Sequence, residues 1–167
     1  AYITRVGEGP MPTELKDDLG VRMREKGGEY GTTTGRARRC GWFDAVLGLK
    51  SVYLNGYTEL ALTKLDVLTG IDPIKICVGY NLDGETLGYP PESTEDLARC
   101  QPIYEDMPGW TEDITEIKEY DDLPANARAY VERLDDLLYV EPLDNCIAAV
   151  SVGPGREQTI YLDEPED

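Results

Sequence analysis

Residues 31–42 read Gly-Thr-Thr-Thr-Gly-Arg-Ala-Arg-Arg-Cys-Gly-Trp, a glycine-bounded run of hydroxyls followed at once by three guanidinium groups. The chain that carries it has a formal net charge of -17. Positive charge gathered in so acidic a protein marks a local anion trap, because the long-range field repels phosphates and carboxylates. Arg22, Arg24, Lys26, Arg36, Arg38 and Arg39 fall within eighteen positions and are six of the 16 Lys and Arg residues. If the segment is extended, Arg36 and Arg38 project to the same side, where two planar forks can grip one carboxylate or phosphate. Glycines at 31 and 35 allow φ > 0, which turns successive N–H groups and the Thr hydroxyls toward the same anion. The alternative is a solvated charge run.

Two further segments carry recognition chemistry. In Thr63-Lys64-Leu65-Asp66 the Asp carboxylate can accept from both N1–H and the exocyclic amine of guanine, a donor pair that adenine lacks. The Lys stem can lie along the base plane while its ammonium reaches the ribose side. Ser151-Val152-Gly153-Pro154 follows an apolar run, and a parallel sheet would bring it to the same carboxyl edge, where open α/β sheets bind ligands. Each segment alone is also compatible with an ordinary strand end.

Bulk composition narrows the classes. A length of 167 residues suits one domain, and 41% apolar with 29% charged residues is a globular composition. The acidity argues against nucleic acid and anionic membrane faces as partners, and would suit a salt-rich cytoplasm. Cys40, Cys77, Cys100 and Cys146 show no paired spacing of the zinc or redox type and are expected as reduced thiols, with Cys77 and Cys146 buried. There is no signal peptide and no apolar stretch of membrane-spanning length, so a cytoplasmic location is expected. The absence of His removes the commonest general acid/base, and no Gly-x-x-x-x-Gly-Lys-Ser/Thr phosphate cradle is present. The chain opens on a β-prone run without Met, like the later part of something longer.

The elements that must position these segments follow from periodicity and punctuation. A strand is expected over 2–6, then a turn-rich loop, then a helix from Glu14 to Lys26 capped by Thr13 and stopped by Gly27-Gly28. Asp44 caps a second helix to about Leu54. Strands are expected over 58–63 and 74–80, the latter turning through Asn81-Leu82-Asp83-Gly84 into 85–89. Residues 90–123 read as mostly loop, with an edge strand over 102–105. Pro124 opens a helix to about Tyr139, and strands over 146–151 and 158–162 complete the chain. Alternating strands and helices favour an α/β fold, a largely parallel sheet covered on both faces.

Taken together, four ordered segments resemble adenylosuccinate synthetase: Arg5-Val6-Gly7-x-Gly9-Pro10-x-Pro12-Thr13-Glu14-Leu15; Glu29-Tyr30-Gly31-Thr32-Thr33-Thr34-Gly35-Arg36-x-Arg38-Arg39-x-Gly41-Trp42-x-Asp44; Thr63-Lys64-Leu65-Asp66-Val67-Leu68; and Tyr104-Glu105-x-Met107-Pro108-Gly109-Trp110. The resemblance runs over essentially the whole chain, and residues 1–167 correspond to roughly the C-terminal two fifths of that enzyme. It implies a mixed, largely parallel sheet flanked by helices in a P-loop-NTPase-related synthetase fold, incomplete without an N-terminal part. The activity implied is GTP-dependent joining of L-aspartate to IMP, giving adenylosuccinate, GDP and phosphate with Mg²⁺, by a family that is homodimeric when complete.

Residue by residue, the resemblance makes 28–42 an aspartate loop, with Thr32, Thr33, Thr34, Gly35, Arg36 and Arg38 contacting the amino acid, Arg36 also near the IMP ribose and Arg38 near GTP. Val6 matches a ribose contact. Lys64, Leu65 and Asp66, within 63–66, match the guanine-binding strand end, and Ser151, Val152 and Gly153, within 151–154, match the second guanine loop. Val152 stands where Thr is familiar, so a backbone contact is expected there. The family's catalytic Asp and His, its phosphate loop and most of its Mg²⁺ contacts lie in the N-terminal part, so no catalytic or metal residue is assigned here and the chain alone is expected to be inactive. The competing class is a non-catalytic nucleotide- or anion-binding module.

Overall fold

The computed structural model describes residues 1–141 and 146–162. In chain order its elements are β1 (Ile3–Arg5), α1 (Asp18–Gly27), β2 (Arg39–Gly41), β3 (Phe43–Asp44), α2 (Ala45–Asn55), β4 (Leu60–Leu62), β5 (Ile74–Leu82), β6 (Glu85–Leu87), α3 (Thr94–Arg99), β7 (Gln101–Met107), α4 (Ala125–Leu138), β8 (Ile147–Ser151) and β9 (Thr159–Tyr161), with short 3₁₀ turns at Leu65–Leu68 and Tyr120–Asp122. The architecture is mixed α/β. The chain divides into two compact units, one of Tyr2–Lys50 and Lys75–Asp106, the other of Ala1, Ser51–Ile74 and Met107–Asp167.

The largely parallel sheet is corrected. Among the described residues the strands form three separate sheets, in which β3/β5 and β4/β8 pair in parallel, whereas β1/β2, β5/β6 and β8/β9 are antiparallel. Connection length accounts for the β5/β6 pair: a two-residue link reverses the chain and leaves no room for a crossover. That link is Asp83-Gly84, both at positive φ (54° and 93°), the conformation a tight hairpin requires.

In the unit of Tyr2–Lys50 and Lys75–Asp106, α1 starts later than expected. Glu14 bridges to Gly41 and the Leu15 amide donates to the Cys40 carbonyl at 2.9 Å, so these residues pair as strand, and Asp17 caps the helix by accepting from Gly20 N–H at 3.1 Å. Gly20, which propensity alone counts against a helix, is required by packing: a methyl group there would lie 2.1 Å from the Leu15 carbonyl oxygen. Gly28 ends the helix at φ 60°, donating to the Arg24 and Glu25 carbonyls. The segment expected to be mostly loop instead holds α3, whose cap is Ser93 accepting from Asp96 N–H at 3.0 Å, and a longer β7.

Asp44 caps α2 as expected and does more. It is 1% exposed, with Oδ1 accepting from Leu47 N–H at 3.0 Å and Oδ2 accepting the Tyr80 hydroxyl at 2.5 Å. Burial raises its pKa, and the Tyr80 hydrogen bond opposes that rise. Val46, Tyr80, Leu87, Cys77 and Cys100 form the core beside it.

In the other unit, α4 buries Ala127, Tyr130, Val131, Leu134 and Leu138 at three- and four-residue spacing. Parallel pairing of Leu62 with Val150 sets β4 beside β8. Trp110 is fixed by its Nε1 donating to Thr69 Oγ1 at 3.0 Å, and Gly109 permits the approach of Ile71, whose carbonyl oxygen would lie 1.9 Å from an added methyl. All four cysteines are free and buried, and burial pushes the Cys77 thiol up to about 12. Among the described residues no helix is long and apolar enough to cross a membrane.

Replacing Asp44 by Ala removes a helix cap and strands the buried Tyr80 hydroxyl, a loss of about 2–4 kcal/mol. Asp44→Asn keeps an acceptor for Leu47 and should cost clearly less in urea unfolding; equal losses would contradict the capping role.

Candidate functional site

The arginine-bearing segment is held as an irregular hairpin. Tyr30 bridges Ala37 in antiparallel fashion, Arg38 N–H donates to the Glu29 carbonyl at 2.9 Å, and Gly31 N–H to the Arg36 carbonyl at 2.8 Å. The intervening residues turn on Gly35, at φ 63°. Gly31 is not at positive φ, contrary to expectation; its missing side chain instead admits Thr34, whose Oγ1 would lie 2.9 Å from an added methyl. Thr34 Oγ1 in turn accepts from Arg36 N–H at 3.3 Å.

This hairpin walls a cleft of about 600 Å³ lined by Val6, Gly7, Gly31, Thr34, Arg36, Ala37 and Arg38. Four of the expected contact residues, Val6, Thr34, Arg36 and Arg38, therefore share one cavity. Thr32, Thr33 and Gly35 are exposed at the tip of the turn and do not line it. Val6 is 73% exposed although apolar, a placement that folding alone does not favour.

The three guanidiniums are not equivalent. Arg39 is bound in two-pronged fashion to Glu14, Nε to Oε1 at 2.8 Å and Nη2 to Oε2 at 2.6 Å, while its Nη1 donates to the Gly9 carbonyl at 2.7 Å. It thus fixes the 7–9 loop that follows Val6 and is no longer available to a ligand. Arg38 gives Nη1 to Glu29 at 2.9 Å. Among the described residues no ion pair holds the exposed Arg36 side chain, which leaves it the most adaptable of the three.

The second pair of segments lies in the other unit. Because β4 and β8 are adjacent and parallel, 63–66 and 151–154 leave the sheet at the same carboxyl edge, as the sequence suggested. Lys64 adopts φ 61°, ψ 40°, a left-handed conformation that costs a non-glycine residue about 1 kcal/mol or more and that breaks the strand into the 3₁₀ turn carrying Leu65 and Asp66. Leu65 is fully buried and anchors this turn, so its side chain is structural; Asp66 is half-buried. The loop after β8 is closed internally: Ser151 Oγ donates to the Gly153 carbonyl at 2.8 Å and Val152 N–H to the Gln158 carbonyl at 2.8 Å. Val152 is buried, and its amide is already engaged, which restricts any backbone contact there to its carbonyl.

Three residues of these sites were not visible as such in the sequence. Glu14 and Glu29 are read as ordinary acidic residues until the fold pairs them with Arg39 and Arg38. Gln158 lies over Gly153, accepting from Gly155 N–H at 2.7 Å and donating to the Thr115 carbonyl at 2.8 Å, and a methyl at Gly153 would meet it at 2.4 Å.

Comparison with known proteins places this geometry in a family. The family model described as adenylosuccinate synthetase matches residues 1–160. The chain belongs to the adenylosuccinate synthetase family. The synthetase of Methanothrix thermoacetophila is 73% identical over 163 residues, covering 98% of this chain and 38% of its own, and that of Methanosarcina barkeri is 62% identical over 159 residues, covering 95% and 36%. A fully ligated adenylosuccinate synthetase from Plasmodium falciparum superimposes with a TM-score of 0.90 at 42% identity, covering 97% of this chain and 38% of that one. The chain therefore spans somewhat over a third of the length of these synthetases.

The Arg39 guanidinium, by its hydrogen bonds, holds the Glu14 carboxyl below its ordinary value of 4.5. A carboxyl titrating lower in the folded state contributes stability that is complete above the unfolded value and lost as pH falls through the folded one. Glu14→Gln should therefore lower stability at pH 7 and flatten its decline below pH 4.5, measured by denaturant unfolding across pH. A parallel decline in both proteins would contradict the pairing.

Proposed function

We propose that residues 1–167 form the C-terminal portion of an enzyme that joins L-aspartate to IMP at the expense of GTP, yielding adenylosuccinate, GDP and phosphate. The cleft of Val6, Thr34, Arg36 and Arg38 carries this reading, since it collects hydroxyl and guanidinium donors in a chain otherwise hostile to anions. In it, Arg36 and Arg38 hold the aspartate carboxylates, with Thr32, Thr33, Thr34 and Gly35 closing over them and Val6 against the ribose of IMP. Held and desolvated in this way, the amine is oriented for attack on the purine, and the guanidiniums compensate the charge brought into the site. The exposure of Arg36 and of the 32–35 turn supports a loop that closes on its ligand.

For GTP, the reading assigns base recognition to the common edge of β4 and β8. Asp66 accepts from guanine N1–H and N2–H, the Lys64 stem covers the base, and Ser151, Val152 and Gly153 shape the pocket, with the buried Leu65 anchoring the turn beneath it. Support comes from the adjacency of the two strand ends and from the left-handed backbone at Lys64, a conformation of the kind found at functional turns. Mg²⁺ belongs to the reaction, but among the described residues no group of three or more Cys, Asp or Glu side chains forms a metal site. The contribution of these residues is binding and orientation. A cytoplasmic homodimer acting on small molecules, without nucleic acid, completes the proposal.

Loss of a charge-assisted contact of about 1.5–3 kcal/mol predicts that Arg36→Ala in the full-length protein lowers kcat/KM for aspartate roughly 10- to 100-fold. Unaltered aspartate kinetics would remove its assigned role. Asp66→Asn should cut the preference for GTP over ATP by about tenfold or more, read from the ratio of their kcat/KM values; an unchanged ratio would remove the guanine assignment.

A further inference from the structure

Glu29 is 2% exposed, an unusual position for a carboxylate on a segment that leads into an exposed loop. Its two oxygens have different partners. Oε2 accepts from Arg38 Nη1 at 2.9 Å, and Oε1 accepts the Tyr2 hydroxyl at 2.8 Å. Room for that hydroxyl depends on Gly27, where a methyl would lie 2.0 Å from the Tyr2 oxygen. The same pair is joined through the backbone, Arg38 N–H donating to the Glu29 carbonyl at 2.9 Å, so Arg38 is located at both its main chain and one guanidinium nitrogen.

What the pairing leaves open is as informative. Arg39 uses the side-on edge of its fork, Nε with Nη2, to grip Glu14. Arg38 gives Glu29 only Nη1, and its Nε is buried without a partner. With Nη1 engaged and Nε covered, Nη2 is the guanidinium donor left uncommitted on a residue that lines the cleft.

We propose that Glu29, steadied by the Tyr2 hydroxyl, is a positioning residue for Arg38: it fixes Nη1 and so directs Nη2 to the anionic group of the substrate in the cleft. This rests on the assignment of that cleft to aspartate. Glu29 itself touches no substrate. It also partly neutralises Arg38, and so prevents the empty cleft from holding excess positive charge while leaving Arg36 free to close.

The test uses the full-length protein and a double-mutant cycle on aspartate kinetics. Tyr2→Phe removes one hydroxyl, and we expect it to raise the aspartate KM by about threefold or more with kcat within about twofold and little change in Tm. Glu29→Gln should raise that KM by about tenfold or more, and both effects should vanish in an Arg38→Ala background, because the residue they position is gone. Effects of the same size in that background would show that Glu29 and Tyr2 act on the fold alone and would overturn the proposal. So would wild-type kinetics for both variants beside an impaired Arg38→Ala. If Arg38→Ala itself has wild-type kinetics, the cleft assignment fails and takes the positioning role with it, an outcome distinct from the other two. Tyr2→Phe keeps the test decisive should Glu29→Gln not fold.

Discussion

Two buried or half-buried carboxylates decide what the arginines of residues 36–39 can do. Glu14 takes the whole side-on fork of Arg39 and turns it into a clasp on the Gly7 and Gly9 carbonyls; Glu29 takes a single nitrogen of Arg38. Arg36 meets neither. With a net charge of -17 the chain has acidic side chains in excess, so a guanidinium stays open to a ligand only where the fold keeps carboxylates away from it. The graded engagement of 39, 38 and 36 is therefore the feature on which the proposed chemistry of the cleft depends: Arg39 is fully committed, Arg38 is held at one nitrogen and Arg36 is exposed.

The two proposed binding regions are built on different principles. The cleft rests on short strands and a turn, its precision coming from side-chain ion pairs and from glycines that allow close approach. The β4/β8 edge rests on parallel pairing, which brings two loops distant in sequence to one edge of the sheet. There the precision comes from backbone: a left-handed Lys64, and a Gly153 loop closed by Ser151 and Gln158. Buried Leu65 and Val152 anchor these loops, leaving their neighbours to carry recognition.

Much of this was legible in the residues. Gly28 as a helix stop, Asp44 as a cap, Asp83-Gly84 as a hairpin turn and the adjacency of 63–66 to 151–154 all follow from local chemistry or from strand patterning, and the structure agrees. The misses share a cause. Thr13 and Glu14 look like the start of a helix, yet pairing with residues near 41 draws them into strand, an interaction separated by more than twenty positions that no local signal reports. Largely parallel pairing was overestimated because apolar strands look alike whichever way their neighbours run. The α3 helix is different, since Ser93 and Asp96 offered a capping signal that the surrounding Pro and acidic residues obscured. Ion-pair partners are beyond sequence altogether: nothing local distinguishes Glu29 from Glu25.

The most direct measurement is a ligand-bound crystal structure of the full-length protein with GDP and an aspartate analogue. The predicted result is an analogue carboxylate within about 3 Å of Arg38 Nη2, with the Arg36 side chain drawn in from solvent and Glu29 still on Nη1. An analogue bound away from the Val6–Thr34–Arg38 cleft, with Arg36 left in solvent, would contradict it.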